Sequence, residues 1–101
     1  MISEIEKKRL LLDIIGTLEA VKRKALYVNE AEKFLFSPYM VSLLKEQNCN
    51  HRILLLLEKG CELKDILSLL PDRLEQVINE LEDEVMELLK EYPKFEEPHW
   101  M

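Results

Sequence analysis

The amino-acid sequence predicts an all-α fold: a compact helical bundle of about six helices, with two long terminal helices over about 4–26 and 72–92 and short ones between them. Three observations carry that expectation. Only two glycines and four prolines interrupt 101 residues rich in Leu, Glu and Lys, a composition that favours helix over sheet or disorder. Apolar residues recur at steps of three and four along both long segments, the spacing of one helix face. No stretch alternates polar and apolar residues between turn signals, so no sheet is expected. The length suits one domain with an ordinary core, over residues 1–92, followed by an irregular tail at 93–101.

Ser3 and Glu6 have the form of a capping box, opening the first helix near Glu4. Leu11, Ile14, Ile15, Leu18, Val21 and Ala25 form its buried stripe. Lys22, Arg23 and Lys24 fall in its last turns, where the helix dipole favours cations. Gly16 sits mid-helix, where glycine costs about 1 kcal/mol relative to alanine. With Ala20 one turn later, it either admits another helix at close range or marks a kink. Asn29 with Glu32 repeats the capping pattern and starts a short helix through about Phe36. Ser37 and Pro38 read as N-cap and first-turn proline of a helix reaching about Gln47. Asn50 caps the next, His51 to Lys59, closed by Gly60, and a short helix over 62–70 stops at Pro71. The longest helix carries the seam Leu74, Val77, Ile78, Leu81, Val85, Leu88, Leu89 and Tyr92, and Pro93 ends it. Leu18, Val21, Leu81, Val85 and Leu88 are expected in one core.

The net charge of −6 is unevenly placed. Residues 1–50 carry eight Lys/Arg against seven Asp/Glu, whereas residues 51–101 carry six against thirteen. Between Asp72 and Glu91 alone there are eight acids and two bases. Such a field repels nucleic acid and anionic lipid and favours a basic partner. The apolar run Leu10 to Leu12 is broken by Asp13, which argues against a signal-peptide core and a membrane span. Two cysteines, Cys49 and Cys61, are too few for a disulfide scaffold and suit a reduced, cytoplasmic setting.

Two resemblances stand beside this reading. Gly16-Thr-Leu-Glu-Ala20, the segment from Asn29 to Pro38 and the stretch from Gly60 to Pro71 resemble a small uncharacterised bacterial all-helical family, a domain of unknown function. These are packing and capping residues, so the resemblance implies a fold and supplies no site residue. Families of this kind that sit beside secreted toxins imply an immunity-type role. Over Ile53 to Leu81, the order of an apolar run, Gly60, Asp65-Ile66, Leu70 and Val77 is similar to the helix-turn-helix of bacterial response regulators. There a small residue follows the Ile and a Gly makes the turn; here Leu67 and Pro71 take those places. A Leu at the crossing is expected to force the two helices apart. The helix that would read DNA carries Glu75, Glu80, Glu82, Asp83 and Glu84, whereas DNA affinity rests on neutralising phosphates.

Little in the chain points to chemistry. The histidines are His51 and His99, and Cys49, His51 and Cys61 make the one soft-ligand cluster, short of the four ligands of a structural zinc site unless His99 joins it. No nucleophile elbow or glycine-rich phosphate loop is present. No enzyme activity, cofactor or metal is therefore expected. Glu80, Glu84, Glu87 and Glu91 form one ridge on the long helix, with Lys90 the one nearby cation in sequence. Like charges four apart, placed toward a helix C-terminus, are locally unfavourable. The ridge either solvates a surface or covers a basic partner. The expected function is a non-enzymatic protein-binding module that occupies a basic surface with this helix, in its sharpest form an immunity or antitoxin-type protein. The rival is a helix-turn-helix transcriptional regulator. Self-association is expected, if at all, through the Gly16/Ala20 face or the tail with Phe95, Trp100 and Met101.

Overall fold

Residues 3–92 are described by a computed structural model. Every element in them is helical: α1 (Glu4–Lys22), α2 (Val28–Phe34), α3 (Pro38–Glu46), α4 (His51–Cys61), α5 (Leu63–Leu69), a 3-10 turn at Pro71–Arg73, and α6 (Leu74–Lys90). The bundle proper has four helices rather than about six. These are α1, α3, α4 and α6; α2 and α5 are seven-residue segments that turn the chain between them. The tail expected to carry Phe95, Trp100 and Met101, the terminating Pro93 and His99 all lie outside the described residues.

The caps form where short polar side chains precede apolar runs. Ser3 Oγ accepts from the Glu6 amide at 3.2 Å, and the Glu6 carboxylate accepts from the Ser3 amide at 3.2 Å. Ser37 Oγ accepts from the Met40 amide at 3.1 Å with Pro38 at the first helical position, and Asn50 Oδ1 accepts from the Arg52 amide at 2.8 Å. Three expectations fail for local reasons. The first helix ends at Lys22, because Lys24 adopts a left-handed φ of 63° that turns Ala25 outward to solvent. No glycine marks that turn. The second helix starts at Val28, one residue before Asn29: Tyr27 is its N-cap, and the Glu30 carboxylate accepts from the Tyr27 amide at 3.2 Å. Gly60 does not close α4. It lies within the helix, buried against Phe36, and a Cβ there would stand 2.7 Å from Phe36 Cε1 and Cγ and closer still to Cδ1.

The long terminal helices run antiparallel. Lys22, at the end of α1, reaches Asn79 and Glu82, whereas Glu4 and Lys7, at its start, share a depression with Tyr92. Helix α6 packs on α1 along one side and on α4 along the other. Leu11, Ile14, Leu18 and Val21 of α1, Ile53, Leu56 and Leu57 of α4, and Ile78, Leu81, Val85 and Leu88 of α6 form one buried cluster, closed by Phe36 and Leu63. The five residues expected to share a core do so. Leu74, Val77, Leu89 and Tyr92 lie at its edge, half-buried. No strand occurs among the described residues, and none of their helices is long and apolar enough to cross a membrane.

Candidate functional site

Antiparallel packing sets α4 beside the acidic ridge of α6. Arg52 and Lys59 are seven residues apart on α4, and Glu84 and Glu91 are seven apart on α6, so the two pairs meet in register. Arg52 forms a two-pronged contact with Glu91, at 2.7 Å from Nη1 and 2.9 Å from Nη2. Lys59 Nζ donates to both Glu84 oxygens, at 3.1 and 2.8 Å. Glu87 pairs with Lys90 at 3.3 Å, and Glu80 accepts from Gln76 Nε2 at 3.2 Å. Each ridge carboxylate thus has a partner within the chain. The unfavourable spacing is offset by cations of α4 and by neighbours on α6, not by the basic run ending α1.

These ion pairs are open to water. About half of each side chain is accessible in both the Arg52–Glu91 and the Lys59–Glu84 pair. Solvent screening makes such pairs weak and readily exchanged. The guanidinium of Arg52 nonetheless holds the Glu91 carboxyl below its ordinary range, chiefly through their hydrogen bonds. Between α4 and α6 lies an open groove of about 460 Å³. Leu55, Leu56 and Leu88 supply its apolar lining, and Arg52, Lys59, Asp83, Glu84 and Glu87 its charged one. Across groove and ridge, five carboxylates (Glu80, Asp83, Glu84, Glu87 and Glu91) face three cations (Arg52, Lys59 and Lys90). The surface can hold an apolar side chain between leucines and trade its own cations for those of a visitor.

The basic run sorts differently from its sequence setting. Lys22 Nζ bonds Glu19 at 2.6 Å and Asn79 at 3.0 Å and stands 3.5 Å from Glu82, tying α1 to α6. Arg23 folds back onto Glu19 at 3.0 Å. Lys22 draws the Glu19 carboxyl down to about 2. Burial, with Glu19 alongside, pushes Glu82 up, and its Oε1 accepts no hydrogen bond.

The soft-ligand cluster does not assemble. Cys49 is buried, His51 is exposed and Cys61 is half-buried, and no group of three His, Cys, Asp or Glu among the described residues is arranged to hold a metal. Burial pushes both thiols up. Leu67 does not force a helix crossing apart; it stands 42% exposed at a groove shared with Tyr27, Pro71 and Leu74. Leu69 and Leu70 are exposed nearby, a patch that the sequence reading passed over. Its signal was three leucines at the end of a short helix, matching no single stripe.

A family model described as a protein of unknown function (DUF3969) matches residues 2–101. No curated protein and no solved structure matches the chain.

Proposed function

The chain belongs to the DUF3969 family, and we propose that this member is a non-enzymatic protein-binding module whose α4–α6 face docks a basic, amphipathic segment of another protein. One observation carries the reading. An open groove lined by leucines runs between rows of weakly held ion pairs with carboxylate in excess. Apolar anchors in a pocket supply most interface energy, and a charged rim supplies register and steering. Exposed pairs such as Lys59–Glu84 exchange at little cost, so a partner's Lys or Arg can take the cation's place. An immunity or antitoxin-type role is the sharper form of the proposal, because covering a basic surface is how an acidic protein blocks a basic one.

The test uses the partner captured on the immobilised chain. Replacing Glu80, Glu84, Glu87 and Glu91 with Gln should slow association and flatten its salt dependence, because rim charges act mainly through steering. Unchanged rates at every salt concentration would remove the acidic face from the interface. The regulator reading gains nothing from this surface, since α6 exposes Glu75, Glu80, Asp83 and Glu84. In a mobility-shift titration the chain should not bind duplex DNA at physiological ionic strength. Binding that is micromolar or tighter, on the order of 10⁻⁶ M, and weakened by salt would reverse the partner assignment.

A further inference from the structure

We infer that the outward face of α1 is a self-association surface on which a second copy of this chain packs antiparallel. A Cβ built at Gly16 meets nothing within 4 Å, so no contact inside the subunit explains a glycine in mid-helix. Around it exposed apolar side chains gather, with Asp13 and Thr17 the polar members of the lining. Leu12 is 54% exposed and Phe34 67%, and with Gly16, Ala20, Leu26 and Leu35 they line an open depression of about 450 Å³. Exposed apolar groups gathered round a shallow hollow mark an interface.

Charge identifies the occupant. Arg9, exposed on the same face, makes no ion pair among the described residues. Glu19 lies ten residues on, and Gly16 lies four after Leu12. When two copies of α1 cross antiparallel about a two-fold axis level with Ile14, Leu12 faces the partner's Gly16. The same register sets Arg9 against the partner's Glu19, and symmetry repeats both contacts. A side chain then fills the space that the glycine leaves, and opposite charges close each end. A parallel pairing would instead set Arg9 against the partner's Arg9 and leave Leu12 without a hollow. The occupant is therefore a second copy, on a surface separate from the α4–α6 groove.

Sedimentation equilibrium of the full chain over a range of concentrations tests this. The mass should rise toward twice 12.0 kDa and should stay at one subunit for Leu12→Arg. Arg9→Glu should weaken association about tenfold, since it opposes two acids across each end, and Arg9→Glu with Glu19→Arg should recover it. Gly16→Ala separates this account from a merely solvent-facing glycine: its melting temperature should rise in dilute solution while its dimer weakens. Glu19 also holds Lys22 and Arg23, so if the double variant loses helicity by circular dichroism, Leu12→Arg and Gly16→Ala decide. A single-subunit mass at all concentrations, a dimer indifferent to Leu12→Arg, or a Gly16→Ala chain that associates as tightly as the parent overturns the inference.

Discussion

Gly60 and Gly16 are the chain's two glycines, and each stands inside a helix. At Gly60 the backbone of α4 lies against the ring of Phe36, which is 2% exposed, and the missing side chain is what lets the segment after α2 close the core. At Gly16 the same absence faces open space on the outer side of α1. Both positions weaken their helices intrinsically by about the same amount. One returns that cost as packing within the subunit, and the other returns nothing there. A mid-helix glycine therefore reports close approach only where something approaches, and sequence alone does not say which of two has a neighbour.

The largest expected effect lies on the closed side. Phe36→Ala should lose about 3–5 kcal/mol in denaturant melts, the range for emptying a buried aromatic site. A loss below about 1 kcal/mol would mean that the contact of Phe36 with α4 is not part of the core. Gly60→Ala should lose about 2 kcal/mol, since overpacking outweighs the gain in helix propensity. Combined with Phe36→Leu it should lose less than the two single changes together, because one contact is shared. Gly16→Ala should move the other way, gaining up to about 1 kcal/mol at concentrations where the chain is a single subunit. Equal signs at the two glycines would erase the contrast.

The smallest effects are electrostatic. Changing the four ridge glutamates to Gln relieves repulsion along α6 and removes the contacts to Arg52 and Lys59, so the net change at neutral pH should be slight. Acid distinguishes the two forms. Glu91 is held below its ordinary value of 4.5, so its contribution is full above that value and is lost as pH falls through its folded value. The Gln variant should lack that part of the acid loss. Glu82 runs opposite: it is raised above 4.5, so the stability it contributes is present below that value and lost as pH rises through its folded value. Glu82→Gln should therefore gain stability relative to the parent as pH rises from 4 toward 7, in paired melts.

Periodicity made the long helices and their core legible. Leu11, Ile14, Leu18, Leu81, Val85 and Leu88 recur at helical steps, and burial follows that stripe. Helix ends were legible where a side chain caps, as at Ser3, Ser37 and Asn50. They were not where the backbone alone turns, as at Lys24, or where the N-cap is not a short polar residue, as at Tyr27. The ridge was visible as four carboxylates, but the pairing of Glu84 and Glu91 depends on α4 lying antiparallel beside α6, a tertiary fact. The matched seven-residue spacing of Arg52 with Lys59 and Glu84 with Glu91 was in the sequence all along. Reading it required knowing which helices are neighbours.

The docking face is tested most directly by nuclear magnetic resonance, titrating the isotope-labelled chain with a short helical peptide of Leu and Lys at amphipathic spacing. Shifts should concentrate at Leu55, Leu56, Leu88, Glu84 and Glu87, with release of the Lys59–Glu84 contact. They should fade as salt rises and vanish when Glu80, Glu84, Glu87 and Glu91 are Gln. Shifts centred instead on Leu67, Leu69 and Leu70, or a response untouched by those four substitutions, would contradict the account.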